Sequence, residues 1–272
     1  MKTALLVISF GTTHLDTLEK TIAATESDLA AAFPEYPLFR AFTSGIVRKR
    51  LSSKYGIHID SVEEAMDRIA ANGFEHVMVQ PTLLIPGEEY DRLCASIQSS
   101  AGSLKVSIGK PLLWDETDLD SMIQILQNAY PVDSNTVLLL MGHGTEHSAN
   151  DIYIRLTQKM CQLSSSTMCL CTVEGTPSFE DAVKALSAMP QRNVRLAPML
   201  LVAGDHAKND MAGDAPDSLC SLLKAEGFSV ECILQGLGEI SAIRQLFVQR
   251  VKDQYKITKS AMPSGSVLVN RN

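Results

Sequence analysis

The sequence predicts an α/β fold of two similar lobes, each a mostly parallel sheet flanked by helices and related by an internal repeat. Three observations carry this expectation. Short apolar runs alternate with helical stretches along almost the whole chain, the order that builds parallel sheets from βα units. The halves also match each other: VISFGTT (7–13) aligns with LMGHGT (140–145), and QPTLLIPGEEY (80–90) with APMLLVAGDHA (197–207). A repeat of this size implies two like structures rather than one continuous sheet. Finally, 272 residues suffice for one large domain or two of ordinary size.

In order, residues 3–9 read as a buried strand, Gly11-Thr12-Thr13 as a turn and 17–32 as a helix, with Leu18, Ile22, Leu29 and Ala32 near one face. Residues 38–42 read as a second strand, followed by TSGIVRKRLSSKYG, whose basic residues suit a solvated helix face. Ser61 and Glu64 suggest a capping box for a helix running to Ala71, stopped by Asn72-Gly73. Strands at 76–80 and 105–108 flank a helix at 90–99, and 119–130 forms another helix. Pro131-Val132-Asp133 looks like the link between lobes.

The second half repeats the plan. Strands are expected at 136–141, 168–173, from 194 onward past Gly204-Asp205-His206, and at 229–233. Helices are expected at 151–163, 178–188, 215–226 and 238–256. The expected division is 1–130, 131–238, a C-terminal helix at 239–257 and a polar tail at 258–272.

Composition narrows the function. A formal charge of −7 argues against general nucleic-acid binding, which wants a basic surface. No apolar run approaches a membrane span, and the apolar run after Lys2 is too short for a signal peptide, so a cytoplasmic protein is expected. Cys94, Cys161, Cys169, Cys171, Cys220 and Cys232 form no CxxC pair, which fits buried thiols rather than a metal knuckle.

The candidate site grows from LLLMGHGTEH (138–147). An apolar run ends in Gly142-His143-Gly144, offering His143 at a strand end, where open α/β sheets place their crevices. Glu174 and His206 lie at corresponding ends, and the repeat sets Phe10 opposite His143 and Glu89 opposite His206. Two histidines with carboxylates suit a divalent transition metal, or proton transfer by neutral imidazole. Asp205, His147 and Glu88 are candidate supports for these ligands. Arg40, Arg48, Lys49, Arg50 and Lys54 flank the TSG loop and could attract an anionic ligand locally.

ISFGTT, LFRAFTSG (38–45), PGEEYD, MGHGTEH, VEGTP (173–177), PMLLVAGDHAKNDM and GLGE (236–239) resemble the class II chelatases, most of all the anaerobic sirohydrochlorin cobaltochelatases of cobalamin biosynthesis. The resemblance runs from the first strand to the last helix. It implies a bilobal chelatase, with the last helix able to pack back on the first lobe, that inserts Co²⁺ into sirohydrochlorin and releases two protons. It implies that His143 and His206 are the metal-binding and catalytic pair, Glu174 a third metal ligand and Glu89 a further catalytic group on the opposite wall that orients substrate or relays protons. Phe10, Ser44, Arg48, Lys49 and Glu89 are the candidate substrate-binding residues. Co²⁺ enters as substrate metal, no organic cofactor is expected, and neither nucleic acid nor membrane is an expected partner. A homo-oligomer stays open. So do iron or nickel as the metal, and a non-catalytic carrier of metal or tetrapyrrole.

Overall fold

The structure is a computed structural model that describes residues 2–162, 167–260 and 267–269. The chain divides into two compact units, Met1–Trp114 with Ser241–Asn272, and Asp115–Ile240.

The first unit runs β1 (Thr3–Ser9), α1 (Leu15–Leu18), a π-helical segment (Glu19–Ala23), α2 (Ala24–Ala32), β2 (Leu38–Phe42), α3 (Gly45–Tyr55), α4 (Val62–Ala71), β3 (His76–Pro81), α5 (Glu88–Ser100) and β4 (Lys105–Ile108). The second holds α6 (Glu116–Ala129), β5 (Thr136–Gly142), α7 (Asp151–Gln162), β6 (Met168–Thr172), α8 (Phe179–Ser187), β7 (Asn193–Pro198), α9 (Leu219–Ala225) and β8 (Ser229–Cys232). The chain returns to the first unit as α10 (Ser241–Ser260) and β9 (Val267–Val269).

Both sheets are parallel throughout, and their orders are the same pattern twice: β2-β1-β3-β4-β9 and β6-β5-β7-β8. Side chains alternate across a strand. Leu6 and Ile8 therefore pack with Ala65, Met66, Ile69 and Ile97 of α4 and α5. Leu5 and Val7 pack with Leu29, Val248 and Val251 of α2 and α10 on the other face. A sheet covered on both faces explains why β1 is a continuous apolar run. Each fully buried Leu or Ile there contributes about 1.5–3 kcal/mol.

Capping sets several helix starts. Ser61, Asp115 and Ser178 each form a capping box. The Asp115 box starts α6 at Glu116, earlier than the apolar pattern alone suggests.

Four sequence expectations need correction. The boundary lies at Trp114/Asp115 rather than at 130, because α6 packs against α7 in the second unit. The strand expected to continue past His206 ends at Pro198. Proline lacks the N–H that a strand paired on both sides needs to carry on, and β3 stops at Pro81 in the same way. The helix expected over 215–226 is confined to Leu219–Ala225. Part of the expected tail is ordered structure: α10 continues to Ser260 and β9 pairs in parallel with β4. The rest of the tail lies outside the described residues. Among the described residues no helix is long and apolar enough to cross a membrane.

Candidate metal and tetrapyrrole site

In the second unit, three neighbouring parallel strands lead to the three predicted metal-binding residues. His143 follows β5 directly, Glu174 lies two residues past β6, and His206 follows β7 after a loop. The backbone ladder continues beyond the strands: Val173 N–H donates to Gly142 O (3.1 Å), Glu174 N–H to His143 O (2.8 Å) and Met199 N–H to Met141 O (2.7 Å). The chain carrying each residue is therefore indexed to its neighbour.

The first unit repeats these bonds. Thr43 N–H donates to Ser9 O (3.0 Å), Ser44 N–H to Phe10 O (3.2 Å) and Thr82 N–H to Ile8 O (2.8 Å). Phe10 thus corresponds to His143 and Ser44 to Glu174. Glu89 follows Pro81 by the same interval at which His206 follows Pro198. The Ser44–Glu174 equivalence had no signal in the residue types and needed the register.

The two imidazoles meet edge to face, with centroids 4.7 Å apart and planes at 86°. His143 Nδ1 lies 3.0 Å from Gly144 O, and His206 Nδ1 lies 2.7 Å from Asp210 Oδ2. A carbonyl and a carboxylate can only accept, so each Nδ1 is the protonated nitrogen of the neutral ring. Each Nε2 then keeps its lone pair for a metal or a proton. Glu174 Oε2 stands 3.8 Å from His143 Nδ1. Both rings are partly open, with side chains 45% and 40% exposed.

Local structure fixes these positions. Gly144 has φ +79°, and a Cβ there would lie 2.7 Å from Gly175 N and from Thr172 Cβ. Only glycine meets both conditions. Tyr153 of α7 lies beneath the turn, where a Cβ on Gly142 would reach to 2.8 Å from its ring. Burial pushes the Tyr153 phenol up to about 12, against the pull of backbone hydrogen bonds from Gly144 and His143. His206 immediately precedes a π-helical segment, Ala207–Met211, in which Ala212 N–H reaches Ala207 O (3.2 Å). Such π-turns often mark functional sites.

Asp210 was missed by the sequence reading, although its spacing four residues after His206 in a helical segment was the available signal. The supports that were expected are engaged elsewhere or exposed. Glu88 pairs with Arg92 at 2.5 Å, His147 Nδ1 accepts from Ala149 N–H at 3.0 Å, and Asp205 is exposed.

In the first unit, Phe10 is 53% exposed and Ile46 66% exposed, despite being apolar. Ile46 was also missed, since its neighbours read as a basic helix face. Ser44 caps α3 by accepting from Val47 N–H (3.3 Å), which leaves its own hydroxyl proton to donate. Gly87 is the N-cap of α5, so Glu89 sits in a first helical turn with Glu88 and Asp91, where the helix dipole favours carboxylates.

The basic cluster is smaller than expected. Arg40 is bound to the buried carboxylate of Glu26 and is not free for a ligand. Arg48 Nη1 lies 3.7 Å from Glu64 Oε2, while Lys49, Arg50 and Lys54 are exposed. Among the described residues the ligand atoms of His143, Glu174 and His206 do not all lie within 4.8 Å of one another, whereas those of His58, Asp60 and Glu64 do. Arg68 already contacts Asp60 at 2.7 Å, and with Arg48 beside Glu64 the cluster is neutralised. Of the six cysteines, Cys161 is exposed and Cys232 half-buried, so only the other four are the buried thiols expected.

The sequence profile of the cobalt chelatase (CbiK) family matches residues 3–256, from β1 into α10. The chain belongs to the cobalt chelatase (CbiK) family. The chain is 39% identical over 250 residues to the sirohydrochlorin cobaltochelatase of Salmonella typhimurium, covering 91% of this chain and 94% of that one. It is 29% identical over 255 residues to the sirohydrochlorin cobaltochelatase CbiKC of Nitratidesulfovibrio vulgaris, covering 92% and 89%. Its fold is similar to that of SirB from Bacillus subtilis with Fe³⁺, at a TM-score of 0.67 and 16% identity over 95% of this chain and 98% of that one.

Proposed function

We propose that the chain inserts Co²⁺ into sirohydrochlorin, with His143 and His206 as metal ligands and proton acceptors. The observation that carries this is the pair of adjacent imidazoles, each with Nδ1 engaged and Nε2 available. A metal-free tetrapyrrole must lose two N–H protons as a divalent ion enters. Two neutral imidazoles supply both the ligands for the ion and the bases for the protons. Glu174 is exposed and stands on the Nδ1 side of His143, so it serves as a third metal ligand by turning its carboxylate toward Nε2.

The macrocycle has apolar faces and a carboxylate rim. Phe10 and Ile46 offer apolar surface for its face. Ser44, Arg48 and Lys49 offer a hydroxyl and positive charge for its rim, and Glu89 orients substrate or relays protons. The curated relatives are named for cobalt and sirohydrochlorin, which favours that pair over iron or nickel.

The test is the visible spectrum of sirohydrochlorin with Co²⁺ under anaerobic conditions, with wild type and His143→Ala. Acceleration of the metallated spectrum by the wild type alone is the expected result. Binding of metal or ring without acceleration by the wild type would replace the enzyme with a carrier.

A further inference from the structure

We propose that Asn150 is a positioning residue for metal capture, one side-chain amide tying the His143 turn to the Glu174 loop. The inference rests on the reading of His143, Glu174 and His206 as the metal site. Asn150 ends a short 3₁₀ turn (Ser148–Asn150) ahead of α7. Its Oδ1 accepts from Thr145 N–H (3.2 Å), and its Nδ2 donates to Thr176 O (2.9 Å). Thr145 is two residues past His143, and Thr176 two residues past Glu174. Each end of the amide therefore holds one ligand-bearing loop.

Asparagine alone fits this task at this length. It supplies one acceptor and one donor, whereas Asp supplies only acceptors and Ala neither. The rest of the site leaves no slack. A Cβ on Gly175 would come within 2.4 Å of Asn150 Oδ1 and 3.1 Å of Gly144 Cα. Asn150 is itself held, its N–H donating to His147 O (2.9 Å) while His147 N–H donates to Thr145 Oγ1 (3.1 Å). Rotation of the amide would separate the two loops and carry Glu174, now 3.8 Å from the protonated Nδ1 of His143, away from the ring whose Nε2 takes the metal. Ligand sets lose affinity when they stray by about 0.5 Å from a productive geometry.

The test uses the full chain with Asn150→Asp, which keeps the acceptor for Thr145 but turns an oxygen toward Thr176 O. Gly175→Ala is a second variant, because its Cβ must displace the same amide. Co²⁺ affinity is read by titration of the visible cobalt spectrum, tetrapyrrole affinity by fluorescence without metal, and folding by Tm. Co²⁺ binding is expected to weaken about 10- to 100-fold in both variants, with an altered cobalt spectrum and an unchanged tetrapyrrole Kd. In a Glu174→Ala background, Asn150→Asp should add little further loss. An unchanged Co²⁺ affinity and spectrum would overturn the proposal. So would an undiminished loss in the Glu174→Ala background, or metal and tetrapyrrole affinities that fall together with Tm. His143→Ala separates the two levels. If it leaves Co²⁺ affinity intact, the metal-site reading fails and takes this inference with it. If it abolishes binding while Asn150→Asp does not weaken it, only the role of Asn150 fails.

Discussion

Asp210→Ala removes the carboxylate that accepts from His206 Nδ1, and its cost follows from the geometry. The Nδ1–Oδ2 distance is 2.7 Å, that of a strong charge-assisted hydrogen bond. Enclosed, such a bond is worth about 1.5–3 kcal/mol. Here both side chains are close to half exposed, and solvent screening pulls the value toward the range of about 0–1 kcal/mol found for surface pairs. Roughly 1.4 kcal/mol lies between these limits and corresponds to about a tenfold weaker metal site. That agrees with the lower end of what outer-shell partners contribute to metal affinity, about 10- to 100-fold. The assay is calorimetric titration of the full chain with Co²⁺, without tetrapyrrole. Asp210→Asn keeps an acceptor at the ring and should lose less, about threefold on the strength of a neutral bond. A Kd for Asp210→Ala within twofold of wild type would refute the claim that this carboxylate fixes the His206 tautomer. Equal losses in both variants would assign the effect to charge rather than orientation.

Other outcomes follow from the same structure. Gly144→Ala meets both a left-handed backbone and 2.7 Å contacts, so it should lower stability by about 1–3 kcal/mol and suppress chelation, read by Tm and by the insertion assay. Arg40→Met leaves the buried Glu26 carboxylate without its partner and should cost about 3 kcal/mol in urea denaturation, with apparent KM unchanged. Burial, aided by Lys105, holds the His76 imidazole down at about 4. The unfolded chain takes up that proton near pH 6.5, so stability present above 6.5 should fall as pH drops toward 4, by about 3 kcal/mol in all. Denaturant melts across that range should be flatter for His76→Gln. Neutralising Arg48 and Lys49 together should raise apparent KM for sirohydrochlorin and make it less salt-sensitive.

Much was legible in the residues because the physics was local. β1 and β5 are buried on both faces, so their unbroken apolar runs read directly as strands of a parallel sheet. The repeat put Phe10 against His143 and Glu89 against His206 by spacing alone, and the observed ladder keeps those intervals. His143 followed from a strand meeting two glycines, one of which, Gly144, does adopt a left-handed φ.

The remainder depended on what lies beside each residue in space. A basic run carries no record of its partners, so Arg40 looked available until Glu26 was found bound to it. The lobe boundary could not be read at Pro131, because α6 is assigned by the helix it packs against. The pairing of β9 with β4 joins segments far apart in sequence, and no periodicity in three residues announces it. The sequence by itself determined the two α/β repeats and offered His143, Glu174 and His206 as candidates at strand ends, since strand burial and turn chemistry are written locally. Only the tertiary structure decided which nitrogen of each histidine is engaged, that Asp210 meets the His206 ring, and that Asn150 bridges Thr145 and Thr176. Those depend on distances of about 3 Å between loops, which are set by register and packing rather than by residue order.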